Sequence, residues 1–452
     1  MKQTSVTLAR FKFIILSLLG IYLFLIPISD TNSEGKKETS LPVAYLANRA
    51  LDLIGDQAGL IIMLIISFSA IMTVIYSTLF STSTKRSITN ELFNVNWIWA
   101  VIRCLGAVFA ICVYFNVGPG FILNENTGLM VYKDLLPTLL TVFFFAGLFL
   151  PLLMDFGLLE FLGPMFAPIM RPVFKLPGRS TVDNLASFIG DGTVGVMITS
   201  SQYEQGFYTR REATVIATTF SVVSITFAIV IAQTIGLMDY FFQFYLSVII
   251  ACIVAAFIMP RIWPLKQIPD QYSNGSTEQL NEKIPDTHNP VSWGFEKATE
   301  KAIESPGFKQ FFINGVKTVL DMWLAVLPVV MTIGTLATIV AEYTPTFSIL
   351  GTPFVPLLEL MQIPYAKEAS ETLLIGFADM FLPSLLISDV PSDMTRFIIG
   401  ALSISQLIYL SEVGGVILGS KIPVSLGKLF MIYLIRTVIT LPVIVILAHI
   451  FF

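Results

Sequence analysis

Apolar stretches long enough to cross a membrane recur along nearly the whole chain. A hydrocarbon core of roughly 30 Å requires about 20 helical residues. We place nine full spans, at 11–29, 58–80, 96–116, 134–156, 212–236, 240–260, 313–341, 394–412 and 427–451. With 55% hydrophobic and only 13% charged residues, the apolar surface exceeds what a soluble core needs and must face lipid. The sequence therefore predicts an all-α polytopic membrane protein with about nine full spans.

Two regions, 157–203 and 345–391, are apolar but interrupted by prolines, glycines and carboxylates. Such segments are typical of broken helices and re-entrant hairpins, whose free backbone groups must lie inside protein or line a wet cavity. The two regions also resemble each other at a near-constant offset of 186 to 188 positions, as shown by Gly163 and Gly351, Phe166 and Phe354, Pro168 and Pro356, and Thr209-Arg210 and Thr395-Arg396. This offset predicts an internal repeat.

The division that follows has four parts: N-terminal helices at 1–133, a first repeat at 134–263, a polar linker at 264–310 and a second repeat at 311–452. Basic residues near Lys2 predict a cytoplasmic N-terminus and a cytoplasmic linker. Arginines and lysines cluster around the first irregular region and are rare in the second. This charge bias favours two inverted repeats with one hairpin entering from each face. The alternative is that 181–200 spans the membrane fully.

Composition also limits the function. A net charge of −4 with scattered basic residues gives no nucleic-acid footprint. Three cysteines inside apolar spans and two isolated histidines predict neither disulfides nor a metal centre. The phosphate loop of nucleotide-hydrolysing pumps is absent from the sequence. We therefore expect no cofactor, with Na⁺ or H⁺ as the coupling ion for any transport work.

The stretch from Ser187 to Gly195 is the most informative candidate site. Its three glycines disfavour a continuous helix, and Asp191 is an ionisable residue at membrane depth, where charge is costly without a partner or a use. Ser187, Gly190, Asp191, Gly192 and Thr193 are the resulting candidates for substrate or ion binding. The alternative is that Asp191 only caps the half-helix that follows it.

The second copy places Asp379 before Pro383, without the glycines, and is expected to be less open. Ser384 follows directly. Weaker candidates are the polar residues that interrupt apolar segments: Gln202, Gln233, Gln406 and Glu412. For Gln202 a loop-end role is the alternative, and for Glu412 a position at the membrane interface.

At these residues the chain resembles the YjiH family of membrane proteins, which carry the nucleoside-recognition or Gate domain. The resemblance rests on the Ser187 to Gly195 stretch, on Ser200-Ser201-Gln202-Tyr203 and on Thr209-Arg210-Arg211-Glu212-Ala213. It is strongest across about 134–260 and weaker in 313–451. It implies solute translocation by paired hairpins, in a bacterial cytoplasmic membrane and with a poorly defined substrate.

The leading hypothesis is an ion-coupled secondary transporter of a small polar solute, nucleoside-like or amino-acid-like. A non-transporting scaffold or signalling subunit is the second hypothesis. An intramembrane aspartyl hydrolase pairing Asp191 with Asp155 or Asp239 is the third, but we do not expect an enzyme. The expected partners are the solute and the lipid bilayer, with no nucleic acid and with a homo-oligomer left open.

Overall fold

The computed structural model describes residues 2–26, 28–31, 37–79, 92–93, 95, 97–189, 192–220, 225–277, 284–285, 287–305 and 307–452. Its N-terminal part contains α1 (Lys2–Leu25), strands β1 (Ile28–Thr31) and β2 (Lys37–Ser40), α2 (Pro42–Ile54), α3 (Gln57–Leu79) and α4 (Trp97–Tyr114). The two strands form a short antiparallel hairpin in which Ile28 lies opposite Ser40. The rest of the described fold is built from helices, as the sequence predicts.

The first repeat begins with helical turns at Gly128–Met130 and Val131–Leu135 and then contains seven helices. They are α5 (Leu136–Met154), α6 (Leu158–Ile169), α7 (Ser180–Ile189), α8 (Gly192–Glu204), α9 (Arg210–Val215), α10 (Ile225–Thr234) and α11 (Phe241–Ile258). Shorter turns are Met170–Phe174, Ile216–Phe220, Met238–Tyr240, Met259–Arg261 and Leu265–Gln267.

The polar linker contains α12 (Pro290–Glu304), and the second repeat follows the same series. Its helices are α13 (Phe308–Asp321), α14 (Leu327–Tyr343), α15 (Thr346–Gly351), α16 (Val355–Leu360), α17 (Ala366–Leu373), α18 (Leu382–Ile387), α19 (Asp393–Ser405), α20 (Val413–Gly419) and α21 (Leu426–Phe451). Turns lie at Met322–Val326, Thr352–Phe354 and Ile375–Phe377. In both repeats a kinked helix, a pair of short arms and a long helix occur in this order.

Both repeats also begin their first inner helix in the same way. The π-helical turns Val131–Leu135 and Met322–Val326 each directly precede a Leu-Pro pair, which ends in Pro137 or Pro328. A proline lacks the N–H that an α-helix would bond and clashes with the preceding turn. A π turn at this point makes room for the proline ring and avoids the need for the missing N–H bond. The local sequence thus produces the same irregularity in the two repeats.

The corresponding helices α11 and α21 of the two repeats run antiparallel to each other. Tyr240 packs against Phe452 at one end of α11, with ring centroids 4.8 Å apart, whereas Cys252, farther along α11, lies 3.3 Å from Arg436, which comes earlier in α21. Two copies related by an axis along the membrane normal would have parallel counterparts. The antiparallel pairing therefore supports an inverted repeat.

Seven described helices are long and apolar enough to cross a membrane, and they correspond to seven of the nine predicted spans. They cover Val6–Phe24, Gln57–Thr78, Trp97–Tyr114, Gly128–Met154, Met238–Gln267, Lys309–Tyr343 and Leu426–Phe451. The predicted span 394–412 is not one long helix, because α19 ends at Ser405 and the chain is non-helical up to Glu412. The predicted span 212–236 contains residues 221–224, which lie outside the described residues.

Helix α12 lies within the predicted polar linker. A capping box between Asn289 and Ser292 starts it, and its small residues pack closely on α6. A Cβ at Gly294 would lie 2.5 Å from the carbonyl oxygen of Phe161, so only glycine allows this approach. On the other side, Phe295 meets Phe13 of α1 at 5.9 Å between ring centroids. The linker is therefore fixed on the first repeat.

Candidate functional site

Helices α7 and α8 form a tight antiparallel hairpin, named here the first hairpin. The hydroxyl of Thr199 lies 3.0 Å from a carboxylate oxygen of Asp183. One turn nearer the tip, a Cβ at Gly195 would lie only 2.5 Å from the Cβ of Ser187. Because residues early in this segment contact residues late in it, the chain must reverse direction between them. The segment 181–200 is therefore not a single spanning helix, and the re-entrant alternative is the one that the fold supports.

The predicted glycine-rich break lies at the tip of this hairpin. Helix α7 ends at Ile189 and α8 begins at Gly192. Gly190 and Asp191 lie outside the described residues, so the role of Asp191 stays a prediction. Of the other candidates in the hairpin, Thr193 and Gln202 are fully buried.

The first hairpin concentrates buried polar atoms that have no hydrogen-bond partner among the described residues. Six such atoms belong to this hairpin or to residues at its base. They are Glu160 Oε2, Arg179 Nε, Asn184 Oδ1, Ser187 Oγ, and Gln202 Nε2 and Oε1. The side chains of Asp183 and Tyr208, also buried here, interact with each other. A buried polar atom without a partner costs about 1–3 kcal/mol, and native proteins contain few of them. The concentration of such atoms marks the hairpin as a place for water or a polar ligand.

Ion pairs fix the base of the first hairpin. Arg179 lies 3.4 Å from Glu160 of α6, and its guanidinium stacks over the ring of Phe207 at 3.6 Å. Arg171 pairs with Glu212 at 2.7 Å, and Glu212 also forms a capping box at the start of α9.

The second hairpin consists of α17 and α18, and its predicted Asp379 is fully engaged. Oδ1 accepts hydrogen bonds from the backbone N–H groups of Phe381 and Leu382, at 2.8 and 3.2 Å, and so caps α18. Oδ2 accepts a bond of 2.8 Å from the hydroxyl of Ser411. The predicted Ser384 lies 3.3 Å from Ser403 of α19. Asp379 thus connects the second hairpin to the divided helix beside it.

The divided helix α19–α20 is unwound between Ser405 and Val413. Here the backbone N–H groups of Leu410 and Ser411 donate to the carbonyls of Phe377 and Ala378, both at 2.9 Å. Two unwound segments therefore satisfy each other's backbone, as they must at membrane depth.

The predicted Gln406 lies in this unwound stretch and donates at 2.9 Å to both the Leu373 carbonyl and the Thr437 hydroxyl. It therefore contacts the same hairpin as Asp379. Glu412, at the start of α20, is half-buried. Gln233 is exposed on α10, so the structure does not bring it to these residues.

Arg436 is a buried charged residue of the candidate site that the sequence reasoning missed. It is fully buried in α21, and its guanidinium donates to the carbonyls of Ser405 at 2.6 Å and Thr219 at 2.9 Å. The first carbonyl lies at the end of α19, and the second lies in the π-helical turn Ile216–Phe220 of the first repeat. The negative end of α19 and this turn thus share one cation. An ionisable residue inside the predicted span 427–451 is the signal that could have identified it.

Each hairpin also contacts the divided helix of the other repeat. Arm α8 packs on α20, and arm α18 packs on α10. Among the described residues, no cluster of three histidine, cysteine or acidic side chains could hold a metal ion. The site is therefore a set of broken helices, buried polar side chains and one guanidinium, contributed by both repeats.

Residues 136–238 match the family model of the Gate domain, described as nucleoside recognition. A protein of Alkalihalophilus pseudofirmus, named Uncharacterized protein BpOF4_10220, is 45% identical over 456 residues, which cover 100% of this chain and 96% of the relative. No solved structure matches the chain. The matched domain contains the first hairpin and α9–α10 with their buried polar groups, so that sequence and architecture agree. The chain belongs to the same family as this relative and is a multi-pass Gate-domain membrane protein, consistent with its resemblance to the YjiH family.

Proposed function

We propose that the chain is an ion-coupled secondary transporter of a small polar solute in the bacterial cytoplasmic membrane. The observation that carries the proposal is that Arg436 joins the carbonyl end of the broken helix α19 to the π-helical turn Ile216–Phe220 of the opposed repeat. Broken helices at the interface of inverted repeats are where secondary transporters bind solutes and ions, because free helix ends supply partial charges there.

The first hairpin supplies the polar groups for the solute. Gln202 is fully buried, and neither atom of its amide forms a hydrogen bond with the described residues. The buried hydroxyl of Ser187 also has no hydrogen-bond partner among them. A solute that forms hydrogen bonds with these groups removes the free-energy cost of burying them without partners. Its binding therefore favours the state in which the hairpin encloses it. This difference between states is what alternating access requires.

The test is uptake by proteoliposomes that contain the purified protein. Nucleosides, amino acids and short peptides are offered under an imposed Na⁺ gradient, an imposed proton gradient and no gradient. We expect uptake of one solute class, driven by one of the gradients. Absence of uptake with every solute and gradient, in vesicles that contain folded protein, would overturn the proposal and favour a scaffold or signalling role.

A matched pair of substitutions tests the site. Gln202→Leu removes two unpaired buried amide atoms, so the protein should be at least as stable as the parent while its uptake falls. Gln233→Leu makes the same chemical change at an exposed position and should leave uptake unchanged. Equal uptake by both variants would exclude Gln202 from the path.

The hydrolase hypothesis finds no support in the described residues. Its chemistry requires two carboxylates that share a proton. Asp155 contacts the amide of Asn314, and Asp239 lies in an exposed turn. Among the described residues, which do not include Asp191, neither forms a close pair with a second carboxylate.

A further inference from the structure

A polar cavity of about 230 Å³ lies between the two repeats, beyond the candidate residues already described. Its walls come from the end of α5, the end of arm α8, helix α13 and the loop after α20. One wall is apolar and includes Leu150, Pro151 and Met154. The opposite walls carry charged groups of both signs. Because α8 belongs to the first hairpin, a ligand here would contact the element that we propose to enclose the solute.

The first weakly paired charge in the cavity is Asp155. It ends α5, where the negative end of the helix dipole disfavours a carboxylate. Within the described part of the chain, its carboxylate accepts one side-chain hydrogen bond, from the amide of Asn314 at 3.3 Å. Burial raises the pKa of Asp155 above its ordinary value, although the Asn314 bond and more distant Lys301 oppose the shift and Glu160 adds to it. A cationic group would relieve this unfavourable position.

The second weakly paired charge in the cavity is Lys421, which the second repeat contributes. Its ammonium lies 4.0 Å from a carboxylate oxygen of Asp321, which is too long for a hydrogen bond. The backbone N–H of Lys421 is 3.3 Å from the hydroxyl of Ser200, so the loop is held against the end of α8. The remaining charged lining residues, Glu204, Lys317 and Asp321, have interactions of their own.

We propose that this cavity binds a small zwitterionic solute, an amino acid or a short peptide, with its ammonium on Asp155 and its carboxylate on Lys421. The inference rests on the proposed transport function and names its substrate class. The apolar wall accommodates a side chain. A nucleoside fits less well, because it offers no charged group to Asp155 or Lys421 and no aromatic residue is among the described lining residues for a base to stack on.

The test measures thermal stabilisation of the purified full-length protein, since a ligand of the native state raises its apparent stability. The probes are neutral L-amino acids, dipeptides, nucleosides, and two sets of amino-acid analogues that lack either the ammonium or the carboxylate. We expect an amino acid or dipeptide to stabilise the parent and both analogue sets to fail. Stabilisation by either analogue set as strong as by the zwitterion would overturn the inference, as would stabilisation by nucleosides alone or by none of the probes.

Substitutions give an independent readout. Asp155→Asn and Lys421→Gln should each weaken zwitterion binding by roughly 10- to 100-fold, which corresponds to one lost charge-assisted hydrogen bond. Lys421→Arg should retain most of the binding. The controls Asp389→Asn and Lys428→Gln change exposed residues outside the cavity and should bind as the parent does. Parental affinity in both cavity variants would contradict the site.

Failure of this inference can be distinguished from failure of the proposed function. If the proteoliposomes take up a solute that is not zwitterionic, the cavity assignment is wrong and transport stands. If amino acids bind with the expected dependence on both charges but no solute crosses the membrane under any gradient, the binding site stands and transport is wrong.

Discussion

Replacing Arg436 by methionine should destabilise the protein strongly, although no carboxylate among the described residues pairs with the arginine. The change removes two short hydrogen bonds to the carbonyls of Ser405 and Thr219 and leaves both carbonyls buried. Hydrogen bonds to a charged group contribute about 1.5–3 kcal/mol each. The variant also avoids the cost of burying a guanidinium, which partly offsets the loss. The two bonds together contribute about 3–6 kcal/mol, and with the offset we expect a net loss of about 2–4 kcal/mol.

The assay is chemical unfolding in detergent micelles, followed by circular dichroism. Arg436→Lys keeps the charge but not the planar fork that reaches both carbonyls, so its stability should fall between those of the parent and the methionine variant. Lys428→Met, exposed on the same helix, should change stability by less than about 0.5 kcal/mol. If the Arg436→Met variant is as stable as the Lys428→Met control, Arg436 does not hold the two divided helices together.

Three further outcomes are expected. Gly195→Ala places a methyl group 2.5 Å from the Cβ of Ser187 and should cost about 1–3 kcal/mol, and adding Ser187→Gly should restore most of the stability; an unrestored double variant would contradict the close packing. Single cysteines at Lys175 and Lys367, after removal of the native cysteines, should react with impermeant thiol reagents from opposite faces, and labelling of both from one face would contradict the inverted topology. Asp191→Asn should greatly reduce uptake while the protein still folds. Uptake equal to that of the parent would indicate that Asp191 only caps the helix that follows it.

The sequence predicts most of the architecture because lipid leaves few choices. Every spanning helix must satisfy its own backbone, so length and hydropathy identify the seven long helices. Prolines and glycines likewise identify the two hairpins. The break after Ser405 could not be predicted in this way, because the following residues Leu407 to Leu410 are apolar and give no turn signal. There the chain adopts a left-handed conformation at Leu407, with φ of 64°, and pairs with the second hairpin. This pairing is tertiary and invisible to local patterns.

The candidate site was predicted less completely, because many of its contacts are also tertiary and join residues far apart along the chain. Asp379 and Gln406 stand out in sequence as polar residues in apolar segments, and the structure places both beside the second hairpin. Arg436 binds carbonyls far away along the chain, and Tyr208 lies fully buried after the first hairpin. Sequence spacing gives no measure of such contacts. The cavity between the repeats depends on the packing of four separate elements and had no signal in the sequence.

The two hairpins differ in a way that assigns them different roles. In the second, Asp379 has its hydrogen bonds made within the protein, and Gln406 bonds the hairpin from the unwound stretch beside it. In the first, Ser187 and Gln202 have buried atoms without a partner among the described residues. A paired network holds one arrangement, because opening it would leave several polar groups without partners. Under the proposed function, we therefore expect the first hairpin to respond to the solute, while the second, joined to the divided helix by Asp379, keeps its arrangement.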